Sequence, residues 1–158
     1  MAETVLRAEL VAAGLDGAVI VDSAGTGDWH IGDVMNSGAR AALASRDYDG
    51  SAHRARQFQP SWLAQRDLIL AMDARNLADL RRMARDPTTH GHGTGAQDAD
   101  RIRLFGEVGG LTEADDGEIP DPYGGNAAEF GYVLDLLGAA APVIVGRLAR
   151  LLESRGAR

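Results

Sequence analysis

The sequence predicts an α/β fold with a parallel sheet. Two short apolar runs, at residues 18–21 and 68–72, have the length and continuous apolar character of strands covered on both faces, and a third, weaker strand is expected at 102–105. Helical patterns separate these runs, and alternation of strands and helices is typical of a parallel sheet. The 158 residues, of which 45% are hydrophobic, suffice for a single domain, 1–158, with one core.

The predicted helices carry apolar side chains at helical spacing and have recognisable ends. They cover residues 2–13, 36–46, 74–85 and 127–152, and one further helical turn is expected at 61–64. In the first helix, Leu6, Leu10 and Ala13 form the apolar stripe. Asp73 directly precedes the third helix and is expected to cap it. Pro142 lies inside the last helix and should kink or split it.

Composition excludes several classes of function. The net charge of −7 argues against broad binding of nucleic acid or of an anionic membrane surface. The chain shows neither an export signal nor an apolar run that approaches a membrane span, which favours a cytoplasmic location. Because there is no cysteine, there are no disulfides, and redox chemistry does not indicate the compartment.

Residues 86–100 form a Gly- and His-rich stretch without period, which predicts a mobile loop. His90 and His92 in this loop lack the further fixed ligands of a structural metal site, so a solvated loop without metal is favoured. Asp115 and Asp116 are best read as a turn. The basic side chains of the third helix are read as a solvated face: Arg81, Arg82 and Arg85.

Polar loops follow the predicted strands, at the edge of the sheet where ligands of such folds bind. Residues 22–29 follow the first strand, and Asp73 follows the second. Asp121 stands between Pro120 and Pro122, which stiffen the backbone around it. A carboxyl group held in this way can deliver a proton in a fixed direction, although a plain Pro-Asp-Pro surface turn would have the same sequence.

An ordered set of motifs resembles the low molecular weight protein-tyrosine phosphatase family. The set comprises Asp22-Ser23-Ala24-Gly25-Thr26, Trp29, His53-Arg54-Ala55-Arg56-Gln57, the stretch 67–73 with Asn76-Leu77, and Pro120-Asp121-Pro122-Tyr123. The resemblance runs from residue 1 to about the end of the last helix, apart from the Gly/His loop. It implies a three-layer phosphatase fold with a parallel sheet of strand order 2-1-3-4.

The resemblance also implies a reaction and its residues. The family hydrolyses phosphotyrosine or a small aryl phosphate through a phosphocysteine intermediate, without cofactor or metal. By this resemblance Asp121 is the general acid and base, and Trp29 and Tyr123 are aromatic walls for the substrate ring. Ser23 and His53 would support the phosphate loop through hydrogen bonds, with a surface role for His53 equally open.

The chain departs from the family pattern at the nucleophile. It contains no cysteine and therefore no C-x5-R phosphate loop, whose thiolate and arginine perform the chemistry in the family. In the family register, the first, central strand and this loop would precede Met1, so we expect Met1 to be an internal methionine of a longer reading frame. A second departure is Gly124, where the family usually has a bulky residue.

Three functions follow from this pattern. The first is a tyrosine phosphatase whose activity this chain lacks for want of the nucleophile. The second is a non-catalytic relative that binds a partner or phosphoprotein. The third is the arsenate reductase branch of the fold, which needs several thiols and is disfavoured by the absence of cysteine.

Overall fold

A computed structural model describes residues 1–86, 99–111 and 116–156. Most predicted elements are present with shifted ends. The helices are α1 (Ala2–Ala12), α2 (Ser37–Ala44), α3 (Ala74–Arg85), α4 (Phe105–Val108) and α5 (Ala127–Gly156), with a 3-10 helix at Pro60–Ala64. The strands are β1 (Ile69–Ala71) and β2 (Ile102–Leu104). The α3 prediction is confirmed at both ends.

The two strands pair in parallel, with Ile69 opposite Ile102 and Ala71 opposite Leu104. The strand predicted at 18–21 is wrong: Ala18 lies in a turn after α1, and the rest of the run belongs to no sheet. A strand needs a neighbour to satisfy its backbone groups, and no described strand lies beside this run. Instead, the carbonyl of Val21 accepts a hydrogen bond from the Arg7 guanidinium, and Ile20 is 95% exposed.

The sheet separates two apolar clusters, which gives the molecule three layers. Ile69 and Ala71 are buried with residues of α3 and the 3-10 helix on one face. Leu70 and Met72, which alternate with them, pack against a larger cluster formed by α1, α2, α4 and α5. This division follows from the two-residue period of a strand, which sends successive side chains to opposite faces.

Helix α5 is the centre of the larger cluster. Its inward face is buried as predicted at Phe130, Leu134, Leu137 and Ala141. The helix continues through Pro142, so the predicted split is wrong, and the missing N–H of the proline is tolerated within one helix. By length and composition α5 would also pass as a membrane span, but half of its most apolar stretch is buried inside the protein.

Helix α4 was not predicted, and its first residue, Phe105, was expected to end the third strand. Two glycines explain how tightly this short helix packs. A Cβ at Gly106 would lie 2.6 Å from the carbonyl oxygen of Gly117, and one at Gly109 would lie 2.2 Å from the Cβ of Ala140. Only glycine permits these approaches, so α4 is wedged between the chain at 117 and α5.

Some sequence predictions differ in detail or lie outside the described residues. Ala13 is exposed rather than part of the apolar stripe of α1, and Val5 takes its place in the core. His90, His92, Asp115 and most of the loop 86–100 are outside the described residues. Asp116 adopts a φ of 50°, in keeping with a turn.

Candidate active site

A cleft of about 800 Å3 lies beyond the carboxyl end of β1. Three stretches and one isolated side chain form its walls: Ser23 to Ile31, residues around His53 to Gln57, residues from Asp73 to Met83 on α3, and Asp121. Four of the five site residues predicted from the sequence therefore share this cleft. The fifth, Tyr123, lies outside its lining but close to it.

The loop that carries Trp29 is closed at both ends by the segment 54–58. At one end, the Gly25 N–H donates to the Arg56 carbonyl and the Phe58 N–H donates to the Gly25 carbonyl, both at 2.8 Å. At the other end, the Ala55 N–H donates to the carbonyl of Asp33 at 2.9 Å. The loop from 25 to 33 is thus fixed at its base, which presents its tip to the cleft.

Trp29 lies at the tip of this loop with 76% of its surface exposed. Its indole covers the backbone of Gly27, where an added Cβ would lie 2.4 Å from the ring. A large exposed aromatic ring beside a cleft is an available apolar wall for a planar ligand. The position of Trp29 therefore agrees with the role implied by its motif.

The Asp121 loop is attached to the sheet and ordered by its own carboxylate. The Ile119 N–H donates to the Met72 carbonyl at 2.7 Å, directly after β1. The Asp121 Oδ1 atom accepts a hydrogen bond from the Tyr123 N–H at 3.0 Å, which closes a local turn. Asp121 is exposed at the cleft wall, so its carboxyl can meet a bound substrate.

Tyr123 is 66% exposed and contacts the loop on the other side of the cleft mouth. Its ring centroid lies 5.8 Å from that of His30, with the rings tilted by 47°. The His30 Nδ1 atom lies 3.1 Å from the Asp33 carboxylate. Gly124 follows with a φ of 81°, a conformation in which a bulky residue would be strained. A bulky residue at this position would therefore need a different local backbone.

Ser23 and His53 converge on Glu3, a residue that the sequence analysis did not single out. The Ser23 hydroxyl donates to Glu3 Oε2 at 2.5 Å, and the His53 Nδ1 atom lies 3.8 Å from the same oxygen. Burial is the main cause that lowers the pKa of His53, with the N-terminal ammonium and two arginines adding to it, and Glu3 opposing them. Below this cleft, a carboxylate thus connects the two predicted support residues.

Asp73 has the structural role predicted for it. Its carboxylate accepts a hydrogen bond from the Asn76 N–H at 2.6 Å and caps α3. Within the described part of the chain, no group of three His, Asp or Glu side chains is arranged to hold a metal ion.

The fold is of the α/β class with a cleft beyond the carboxyl end of β1, and comparisons with known proteins give its family. A sequence model of the low molecular weight phosphotyrosine protein phosphatases matches residues 1–154. A low molecular weight protein-tyrosine-phosphatase of Streptomyces coelicolor is 39% identical over 157 residues, covering 99% of this chain and 90% of the relative. Low molecular weight protein-tyrosine phosphatase A of Mycobacterium bovis is 32% identical, covering 90% and 78%.

Solved structures agree with the sequence comparisons. A protein tyrosine phosphatase from Entamoeba histolytica superimposes with a TM-score of 0.79 at 28% identity, covering 94% of this chain and 87% of that one. YfkJ from Bacillus subtilis gives a TM-score of 0.78 at 29% identity, covering 94% and 85%. The chain belongs to the low molecular weight protein-tyrosine phosphatase family, and the predicted family and fold class are confirmed.

Proposed function

We propose that the protein is a phosphotyrosine phosphatase. These 158 residues provide its general acid and the walls that bind the substrate. The observation that carries the proposal is that Asp121, Trp29, Ser23 and His53 line one cleft beyond the carboxyl end of β1. These residues are distant in sequence, and a Pro-Asp-Pro turn with no role at a site would not be expected to line the same cavity as Trp29. Membership of the family supplies the reaction class.

In the proposed reaction Asp121 transfers a proton twice. A cysteine thiolate attacks the phosphorus of the aryl phosphate, the P–O bond to the phenol breaks, and protonated Asp121 gives its proton to the departing oxygen. Water then attacks the phosphocysteine, ionised Asp121 takes a proton from it, and inorganic phosphate and the thiolate are released. Among the 158 residues there is no cysteine to act as this nucleophile.

Trp29 and Tyr123 hold the substrate ring in this proposal. Both side chains are largely exposed, at 76% and 66%, and so have surface to cover when an aromatic ring binds. Burial of an aromatic ring between two others favours phosphotyrosine over phosphoserine, which has no ring to bury. The proposed substrates are therefore phosphotyrosine proteins or small aryl phosphates.

Turnover of p-nitrophenyl phosphate tests this proposal in two forms of the protein. The 158-residue chain is expected to give no hydrolysis, since serine and threonine hydroxyls are weak nucleophiles without an adjacent base. A form of the protein that also carries an N-terminal strand and a C-x5-R loop is expected to be active. Hydrolysis by the 158-residue chain that depends on Asp121 would contradict the assignment of a cysteine nucleophile.

A non-catalytic binding protein is the second candidate, and the absence of cysteine is the observation that favours it. A stop codon or an unrelated sequence upstream of Met1 in the same frame would support this candidate. The two candidates are then separated by binding of a phosphotyrosine peptide without turnover.

A further inference from the structure

A cluster of charged and aromatic side chains lies behind the wall of the cleft. The Arg66 guanidinium binds both carboxylate oxygens of Asp22, with Nη2 to Oδ2 at 2.6 Å and Nε to Oδ1 at 3.3 Å. Arg56 Nη2 lies 3.6 Å from the same carboxylate. The Trp62 ring lies beneath both guanidinium groups, 5.4 Å from Arg56 Cζ and 5.2 Å from Arg66 Cζ. Such contacts combine ionic and cation–π attraction.

This cluster is connected by hydrogen bonds to the loop that carries the site residues. Asp22 directly precedes Ser23, whose carbonyl accepts a hydrogen bond from Arg56 Nη2 at 3.0 Å. The backbone of Arg56 is joined to Gly25, because the Gly25 N–H donates to its carbonyl. The side chain and the backbone of Arg56 therefore hold the chain on both sides of Ala24.

Two further residues extend this connection to the aromatic wall. Two positions after Gly25, the backbone of Gly27 is covered by the Trp29 indole. A change in the path of the chain at Gly25 would therefore move the surface on which Trp29 rests. Neither Trp62 nor Arg66 lines the cleft, so this path offers them an indirect connection to Trp29.

We propose that Asp22, Arg66 and Trp62 are positioning residues that fix the Ser23–Trp29 wall of the cleft by holding Arg56. The proposal rests on the proposed function for the meaning of that wall. Asp22, Arg66 and Trp62 belong to neither apolar cluster of the core. Their loss should for that reason release the loop locally and leave the packing of α1 and α5 in place.

Fluorine NMR of the 158-residue chain labelled with 5-fluorotryptophan tests this coupling, because the chain has only two tryptophans. Arg66→Gln removes the two-point contact with Asp22 and should shift or broaden the Trp29 resonance, which its side chain does not touch. We expect exchange of the Gly25 amide hydrogen to accelerate about tenfold or more, as for a locally released segment, while the α5 amides keep their protection. Arg66→Lys, which keeps the charge, should give an intermediate result.

Arg40→Gln is the matched control, because Arg40 is exposed on α2 and has no ion pair within the described ranges. It should leave both fluorine resonances unchanged. An unchanged Trp29 resonance and Gly25 exchange in Arg66→Gln would overturn the proposal, even if the Trp62 resonance moves. If Arg66→Gln does not fold, the Trp29 resonance and the Gly25 amide exchange are measured in Arg66→Lys. An unchanged result in that variant then overturns the proposal. Neither readout needs turnover, so failure here is distinct from failure of the phosphatase assignment.

Discussion

The hydroxyl of Ser23 donates a hydrogen bond to the carboxylate of Glu3, across 20 positions of sequence. Glu3 lies in the first turn of α1, and Ser23 lies in the wall of the cleft. The same carboxylate also accepts a hydrogen bond from Arg7 Nε in the next turn of α1. This bond therefore connects Ser23, in the wall of the cleft, to a core helix.

A double-mutant cycle measures the Ser23–Glu3 contact. Because the acceptor is charged and only 20% exposed, Ser23→Ala and Glu3→Gln should be coupled by about 1 kcal/mol in the free energy of unfolding. Denaturant titration of the wild type, both single variants and the double variant gives this value. Glu9→Gln on the same helix is the control, and its effect should add to that of Ser23→Ala.

Asp121→Asn tests the acid in a chain that carries the C-x5-R loop. Asparagine cannot donate the proton, so hydrolysis of an aryl phosphate with a poor leaving group should slow by roughly 10²–10⁴. The exposed Asp16, outside the cleft, provides the control Asp16→Asn, which should retain full turnover. Equal rates for both variants would remove Asp121 from the acid role.

His53 should make the stability of the chain depend on pH. Its pKa is lowered in the folded protein, mainly by burial, so the unfolded chain binds the proton more readily. The contribution is fully present above about pH 6.5, the pKa of an unfolded histidine, and is lost as the pH falls towards the lower pKa of the folded state. His53→Gln should flatten the pH dependence of the unfolding free energy in this window. A larger slope in the variant would show that the sign is wrong.

Two glycines near or in α5 should respond to alanine in opposite directions. Gly109→Ala places a methyl group 2.2 Å from the Ala140 Cβ and should destabilise the chain by about 1–3 kcal/mol. Gly131→Ala has open space around the new methyl and should stabilise α5 by about 0.5–1 kcal/mol. Thermal unfolding of the two variants compares them directly. Destabilisation by both would point to a backbone effect rather than to packing.

The helices were predictable because their signals are local. The Asp73 cap and the apolar spacing of Leu80 and Ala84 lie within α3 itself, and both its ends were found. The run at 18–21 failed because a strand depends on a neighbour, which the run's own residues do not contain. Helix α4 was missed because Gly106 and Gly109 are explained only by the distant Gly117 and Ala140.

The candidate site likewise contains residues with a local sequence signal and residues whose contacts depend on distant parts of the chain. Asp121, Trp29 and Ser23, which line one cleft, could be singled out because each stands in a motif of the family that the sequence resembles. Glu3 was missed because its partners Ser23 and His53 lie 20 or more positions away and no local pattern indicates them. The contact of His30 with Tyr123 depends on the approach of two loops and could not be inferred from the spacing of either.

The hydrogen bonds that close the base of the loop from 25 to 33 make this loop suitable for replacement by protein engineering. Because the backbone hydrogen bonds at Gly25 and Asp33 fix both ends, the six residues from 26 to 31 can be exchanged without altering how the chain enters or leaves them. Transplanting a tip of different length or charge from a relative would change the wall that Trp29 forms beside the cleft. Substrate selectivity could then be varied by exchanging this loop segment, while the sheet and helices stay unchanged.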